Sequence, residues 1–160
     1  MLSINIVCVG NLKEAYFKDA VAEYAKRLKG FCKFTVTEID EERLADNPSD
    51  AQISSVIKKE GERILKKIPA GSKVVAMCIE GKQLSSEELA QFFDTAAVSG
   101  VSNVTFIIGG SYGLWDQVKQ RADVKLSMSK MTFPHQLARV MLSEQIYRAF
   151  KINQGGKYHK

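Results

Sequence analysis

The stretch Val104–Leu114, VTFIIGGSYGL, decides the fold of this 160-residue chain. Its first five residues are mostly β-branched or aromatic, which is typical of a strand buried inside a sheet. The glycine cluster Gly109–Gly113 ends that strand, and a short helix is predicted from Leu114 to Arg121. A buried strand, a glycine turn and a helix in this order indicate an α/β protein.

The rest of the chain repeats this alternation. Short apolar or alternating runs predict the strands, and apolar residues spaced three and four apart predict the helices. The predicted strands are Ile4–Val9, Lys33–Ile39, Val74–Ile79, Val104–Ile108 and Val124–Leu126. The predicted helices are Lys13–Lys29, one capped by Asp50, one opened by a capping box of Ser85 and Glu88, Leu114–Arg121, and a long last helix beginning at Pro134. We therefore expect one α/β domain over residues 1–160, with a mostly parallel sheet and helices on both faces.

Composition excludes several classes of protein. Apolar residues make up 45% of the chain and charged residues 26%, so neither a disordered nor a fibrous protein is expected. The longest apolar run, Val74–Ile79, is far shorter than the ~20 residues of a membrane helix. Three cysteines without C-x-x-C spacing indicate reduced thiols in the cytoplasm. With only two histidines and scattered cysteines, no metal site is expected.

The net charge of +5 is concentrated in the last quarter of the chain. Residues 1–120 hold fifteen basic and sixteen acidic residues, whereas residues 121–160 hold eight basic and two acidic residues. Such a basic segment favours an anionic partner, most often nucleic acid. A solvated basic surface has the same composition, so both interpretations stay open at this point.

The glycine cluster also has two interpretations. It follows a strand and precedes a helix, a position where backbone amides can approach a bound ligand closely. It is not a G-x-G-x-x-G fingerprint, and the chain has no Walker A lysine. A tight turn that needs a positive φ explains the same glycines without any ligand.

The predicted last helix is apolar on nearly all sides. His135, Arg139, Leu142, Ile146 and Phe150 share one face, and the opposite face carries Leu137, Val140, Met141, Glu144, Arg148 and Lys151. In a chain of this size, a partner subunit is the simplest way to bury both faces. His135 bonded to backbone and a Glu144–Arg148 pair one helical turn apart are the ordinary structural alternatives.

The terminal segment, Asn153–Lys160 (NQGGKYHK), places an aromatic ring and a titratable ring between two lysines. Tyr158 and His159 are suited to stacking on a base, and the lysines to contacting phosphate. Chain ends are usually frayed, which is the structural alternative.

Taken together, these segments resemble the ribosomal large-subunit methyltransferase H family of the SPOUT superfamily of knotted methyltransferases. The resemblance covers the whole chain in the right order. Its most specific part is the long block around the last helix combined with the terminal Tyr-His-Lys. The matching segments are Ile6–Gly10, Ile79–Lys82 (IEGK), Phe106–Leu114 (FIIGGSYGL), Leu126–Ala149 (LSMSKMTFPHQLARVMLSEQIYRA) and Tyr158–Lys160 (YHK).

This resemblance implies a cytoplasmic homodimer that binds S-adenosylmethionine (SAM). It implies methylation of N3 of pseudouridine 1915, in helix 69 of 23S ribosomal RNA, with the assembled ribosome as the expected partner. It also implies a C-terminal trefoil knot, which periodicity does not predict and which the general rarity of knots argues against.

Carried over by position, the resemblance assigns cofactor binding to one strand end, the glycine turn and the segment before the last helix. The residues are Met77, Gly109, Met128, Ser129, Lys130, Met131, Thr132 and Phe133. The chemistry of the terminal segment in turn predicts RNA binding by Lys157, Tyr158, His159 and Lys160. Met77 stands where leucine is expected, and Lys157 where proline is usual, so the terminal segment is less preorganised here.

Methylation of an imide nitrogen requires loss of its proton and stabilisation of negative charge on the flanking oxygens. His135, Glu144 or His159 is expected to accept the proton, and Arg139 or Arg148 to face the oxygens; the sequence does not choose among them. Two other functions suit part of the pattern: an RNA-binding module without catalysis, and a nucleotide-binding oxidoreductase. The missing dinucleotide fingerprint disfavours the oxidoreductase.

Overall fold

A computed structural model describes all 160 residues as one parallel sheet with helices on both sides. Five strands alternate with five helices, as the sequence predicts. The strands are β1 (Ser3–Val9), β2 (Lys33–Ile39), β3 (Lys73–Gln83), β4 (Asn103–Ile108) and β5 (Val124–Ser127). The helices are α1 (Ala15–Leu28), α2 (Asp50–Lys67), α3 (Ser86–Val98), α4 (Asp116–Arg121) and α5 (His135–Asn153).

The strand order is β2-β1-β4-β3-β5, and every pair is parallel. The central strands are buried on both faces, which explains their nearly continuous apolar sequences. In β1, Ile4, Ile6 and Cys8 face one core, while Val7 and Val9 face the other. The larger core packs the sheet against α1, α3 and α5, and the smaller core packs it against α2 and α4.

Local signals at the helix starts are mostly, though not fully, confirmed. The capping box of Ser85 and Glu88 opens α3 as predicted. At α2 the cap is Ser49 rather than Asp50: the Ser49 hydroxyl accepts the Gln52 N–H, and the Gln52 side chain accepts the Ser49 N–H. Asp50 instead lies in the first turn, where its charge favours the helix N-terminus.

The last helix is buried by its own chain to a greater extent than the sequence suggests. The sequence predicts that a partner subunit covers part of this helix, but Leu142 and Ile146 lie in the larger core, which also includes residues of α1 and α3. Pro134 is the cap of α5 and not its first residue, because its ψ of 136° is extended. The half-buried outer side of α5 includes Val140 and Met141.

An irregularity in β3 shapes the edge of the sheet where β5 pairs. Met77 and Lys82 both oppose Leu126, so Cys78–Gly81 form a bulge in β3. At Gly81 the two chains approach so closely that a Cβ would lie 2.7 Å from the backbone of Leu126. Only glycine fits this crossing without moving β5.

No helix has both the length and the apolar character needed to cross a membrane. The trefoil knot implied by the resemblance stays a prediction.

The crossing at Gly81 yields a stability prediction. Gly81→Ala places a methyl group against backbone that cannot rotate away, so we expect a loss of about 1–3 kcal/mol in the free energy of unfolding. Gly30→Ala is the matched control, because a Cβ at Gly30 meets no atom within 4 Å and its φ is not positive. Urea unfolding followed by circular dichroism measures both. Equal stability of the two variants would contradict the close crossing.

Candidate functional site

A cleft of about 300 Å³ lies beyond the carboxyl ends of β3, β4 and β5. Ligands in parallel α/β sheets bind at this edge. Three chain segments form its walls: the bulge residues Cys78–Glu80, the turn from Ile108 to Leu114, and the segment from Leu126 to Phe133. His135 and Ala138 close it from the start of α5.

The geometry of the glycine turn is compatible with both interpretations left open by the sequence, a tight turn and a ligand-binding loop. Gly113 has a φ of +89° and donates its N–H to the Gly110 carbonyl at 3.1 Å, so the turn is tight. Gly109 lacks a positive φ, but a Cβ there would lie 2.9 Å from the Leu114 side chain and 3.0 Å from the Gly113 backbone. The glycines therefore keep the turn compact and leave its backbone open to the cleft.

The segment between β5 and α5 is held by its own serines. The Ser127 hydroxyl donates to the Ser129 carbonyl at 2.9 Å, and the Ser129 hydroxyl accepts the Met131 N–H at 3.0 Å. Seven of the eight residues that the resemblance assigns to the cofactor line the cleft; the exception is Lys130, which is exposed and does not line it. Those seven are Met77, Gly109, Met128, Ser129, Met131, Thr132 and Phe133.

The cleft contains an ion pair that the sequence does not predict. Lys119 of α4 donates to Glu80 of the β3 bulge at 2.6 Å, and both side chains line the cleft. This hydrogen bond raises the pKa of Lys119 and lowers that of Glu80. The two residues are 39 positions apart, so only the folded sheet reveals the pair.

A buried carboxylate, Glu60 of α2, supports the glycine turn from behind. Its Oε2 accepts the Glu42 N–H at 3.1 Å, and its Oε1 would lie 3.3 Å from a Cβ on Gly110. Burial raises the pKa of Glu60, and the neighbouring Glu41 carboxylate adds to the shift. Glu60 is therefore hydrogen-bonded to the loop after β2 and lies beside the glycine turn.

A larger cavity, of about 590 Å³, adjoins the cleft. The two share Met77 and Leu126–Met128 as a common wall. The far side of the larger cavity comes from the start of α3 and the middle of α5, including Met141 and Glu144. A molecule in the cleft and a second group in this cavity would therefore lie next to each other.

Glu144 is the centre of a polar cluster on α5. Its Oε1 accepts two hydrogen bonds from Arg148, at 2.6 and 3.0 Å, and one from the Tyr158 hydroxyl at 3.2 Å. Gln145 donates to its Oε2 at 2.9 Å. Burial and the Glu144 carboxylate raise the pKa of Tyr158, which keeps the phenol protonated as a donor.

His159 extends this cluster to α3. Its Nδ1 lies 3.1 Å from Arg148 Nη1, and its Nε2 lies 2.7 Å from Glu87 Oε1. Because arginine only donates, Nδ1 is the acceptor and we assign the proton of the neutral ring to Nε2, which donates to Glu87. The lone pair of His159 is thus directed at Arg148.

The terminal segment is docked rather than frayed. Tyr158 packs against Tyr147 with ring centroids 5.0 Å apart, and the Arg148 guanidinium lies 4.7 Å from the Tyr158 ring. Lys157 and Lys160 stay exposed on either side. The segment therefore presents two free cations while its rings are fixed against α5.

Arg139 occupies a different environment from Arg148. Its side chain is 1% exposed, donates to Glu38 at 2.7 Å and to the Gly10 carbonyl at 3.1 Å, and does not line the cleft. Glu38 also accepts the Leu12 N–H, so the arginine ties α5 to the chain after β1. This burial argues against the expected contact of Arg139 with substrate oxygens.

No group of three or more His, Cys, Asp and Glu side chains is close enough together to hold a metal ion.

Glu60 yields a pH-dependent prediction. Its folded pKa lies above the ordinary value of 4.5, so ionisation costs stability as the pH rises through the folded pKa. Glu60→Gln keeps an oxygen for the Glu42 N–H and carries no charge. We expect the free energy of unfolding of Glu60→Gln to exceed that of the wild type at about pH 8 and to equal it below about pH 4. The excess is about 1.4 kcal/mol for each unit by which the pKa of Glu60 differs between the folded and unfolded states.

Urea unfolding across this pH range tests the prediction. The exposed Glu62→Gln, two positions along α2, is the control and should follow the wild type. A constant difference between Glu60→Gln and the wild type at every pH would contradict the assignment.

Comparison with known proteins identifies the family of the chain. A family model described as a predicted SPOUT methyltransferase matches residues 2–159. The ribosomal RNA large subunit methyltransferase H of Carboxydothermus hydrogenoformans is 53% identical over 159 residues, which cover 99% of this chain and 100% of the relative. The protein of that name from Latilactobacillus sakei is 51% identical over the same coverage.

A solved structure supports the fold independently. The probable methylase family protein from Haemophilus influenzae superposes with a TM-score of 0.55 at 15% identity, over 100% of this chain and 72% of that protein. At this identity the likeness concerns the fold alone. The sequence matches carry the assignment: the chain belongs to the SPOUT methyltransferase family, among the ribosomal RNA large subunit methyltransferase H proteins.

Proposed function

We propose that this protein transfers a methyl group from SAM to N3 of pseudouridine 1915, in helix 69 of 23S ribosomal RNA. One observation carries the proposal beyond family membership: the cleft and the larger cavity share Met77 and Leu126–Met128 as a wall. Because the two spaces adjoin at these residues, a methyl donor in the cleft and a target base in the larger cavity would lie side by side. Methyl transfer requires donor and acceptor about 3–3.5 Å apart.

The cleft suits SAM by shape and chemistry. The half-buried Met128 and Phe133 offer apolar surface for an adenine ring, and the backbone of the glycine turn offers hydrogen bonds. Gly109 allows the turn to fold tightly against Leu114 and Gly113, because a Cβ there would lie within about 3 Å of both. When bound, SAM supplies an electrophilic sulfonium methyl, while the protein residues position the two reactants.

Glu144 is the proton acceptor that the geometry supports best. It lines the larger cavity, and its carboxyl group accepts hydrogen bonds from Gln145 and Arg148. Arg148 beside it is the cation suited to the negative charge that develops on the base oxygens. Arg139 acts as a positioning residue through Glu38 and Gly10.

The two histidines take different roles in this proposal. His135 lines the cleft at the start of α5 and contacts the donor side of the reaction. His159 orients Arg148 through Nδ1, since its lone pair is already engaged there. With Lys157, Tyr158 and Lys160 it forms the RNA-contacting end of the chain.

We further propose that the protein works as a homodimer in the cytoplasm on assembled ribosomes. The outer side of α5 at Val140 and Met141 is half-buried and borders the larger cavity, which a second copy would close. The trefoil knot belongs to the same family-based proposal.

The function is tested by calorimetric titration with SAM and by methyl transfer to ribosomes lacking the modification. We expect the wild type to bind SAM and to methylate one pseudouridine, identified by mass spectrometry of 23S RNA fragments. Glu144→Gln should lower the rate by about 10²–10⁴-fold, because a general base contributes that much, while SAM affinity stays unchanged. Glu62→Gln is the matched control, because Glu62 is exposed on α2, which packs on the face of the sheet opposite α5.

The outcomes separate the competing functions. Ribosome binding without SAM binding would support an RNA-binding module in place of the enzyme. A Glu144→Gln variant as fast as the wild type would remove Glu144 from the proton-transfer step and leave the reaction itself in place.

The dimer is tested by sedimentation equilibrium. We expect the wild type to sediment as a particle of about twice 17.8 kDa. Met141→Asp should shift it to the monomer, because the interface would bury an unpaired charge. Val98→Asp, at a residue 90% exposed at the end of α3, should leave the dimer intact. A wild type that is monomeric at micromolar concentration would reject the dimer.

A further inference from the structure

We propose that the cleft rim, formed by Ile79, Tyr112, Lys130 and Met131, docks unpaired nucleotides of the RNA substrate that flank the target base. This inference rests on the proposed function and names a contact surface separate from the terminal segment.

The rim is unusual in its exposure. Six large hydrophobic side chains of this protein are exposed, and three of them surround the cleft. Ile79 is 56% exposed and Met131 is 73% exposed, and both line it. Tyr112, 47% exposed, lies between Ser111 and Gly113, which also line it. Exposed apolar side chains grouped at the mouth of a cleft indicate a binding surface.

The cofactor alone does not account for these side chains. A bound small molecule has most of its surface buried, and its pocket walls are correspondingly enclosed. The buried and half-buried walls of the cleft, such as Leu126 and Met128, meet that description. Side chains that stay about half exposed or more suit a partner arriving from solvent.

The chemistry of the rim fits single-stranded RNA. The Tyr112 ring is a stacking surface for a base, and Ile79 and Met131 offer apolar contact on either side. Lys130 is exposed, as are Lys82 and Lys125 on the adjoining strands, and none of the three makes an ion pair. Free cations on the rim and its adjoining strands, together with an exposed aromatic ring, match the phosphates and bases of an unpaired strand.

The bulge in β3 and the glycine turn explain why the rim stands out from the surface. Ile79 belongs to the bulge that Gly81 permits, and Tyr112 is at the tip of a turn closed by the Gly110–Gly113 bridge. Lys130 and Met131 follow Ser129, whose hydroxyl accepts the Met131 N–H. Three separately braced segments thus converge at the mouth of the cleft.

The experiment measures the affinity of wild type, Tyr112→Ala and Lys130→Ala for ribosomes lacking the modification, by filter binding at several salt concentrations. Tyr16→Ala, which removes a tyrosine 65% exposed on α1 and away from the cleft, is the matched control. We expect Tyr112→Ala to weaken binding about ten-fold, as loss of a stacked base does. Lys130→Ala should reduce the slope of log affinity against log salt by about 1.

Two further measurements distinguish this inference from its alternatives. SAM titration should give the wild-type affinity for both variants, since a loss there would assign the rim to the cofactor and overturn the proposal. Sedimentation should leave the oligomeric state unchanged, because a shift to the monomer would assign the rim to a second copy and also overturn it.

Direct binding keeps this test separate from that of the proposed function. If both variants bind ribosomes with wild-type affinity, the proposed role of the rim in RNA binding is overturned, while the proposed methyltransferase reaction is unaffected. If the wild type binds ribosomes and does not methylate them, the proposed reaction is overturned. The affinities of the two variants would still show whether the rim binds RNA.

Discussion

The contact on which the site depends is the crossing of Gly81 over the backbone of Leu126. A Cβ at Gly81 would lie 2.7 Å from that backbone, so the approach exists only because the residue is glycine. The crossing lets β5 pair with β3 on both sides of the bulge, which directs Cys78–Glu80 into the cleft. The bulge wall of the cleft therefore depends on glycine at this position.

The two arginines of α5 show how one helix combines support with chemistry. Helical spacing already places Arg139 on the side of Leu142 and Ile146, and that side proves to be the core. Its charge is compensated by Glu38 and by the Gly10 carbonyl, while Nε keeps no partner. Such a group is costly to bury, and its value lies in fixing α5 relative to β1. Arg148, on the opposite side, keeps its guanidinium at the polar cluster with Glu144 and Tyr158, where it is 24% exposed.

The sequence predicts the fold well because its signals are local. Alternating strands and helices, the capping box at Ser85 and the glycine turn depend on neighbours within a few residues. Helix starts at Ser49 and Pro134 differ by one position from the prediction, since several polar residues there are suitable caps. What the sequence does not predict depends on chain segments far apart: the Glu80–Lys119 pair, the contact of Glu60 with the glycine turn, and the docking of Tyr158 and His159 on α5. Lys130 was assigned by position within a motif, and motif position does not determine which side chains face a cleft.

In the folded protein, only part of the positive charge in the last quarter of the chain is free to bind a partner. Three of its eight cations are engaged within the protein: Arg121 with Asp123, Arg139 with Glu38, and Arg148 with Glu144. The five others are lysines, and of these Lys151 lies near the Phe31 ring. Lys125 and Lys130 lie close to the cleft, whereas Lys157 and Lys160 belong to the terminal segment. The free charge thus divides between the cleft and the terminal segment beside the polar cluster of α5. Under the proposed function, these are two separate places at which the protein contacts the phosphates of an RNA strand.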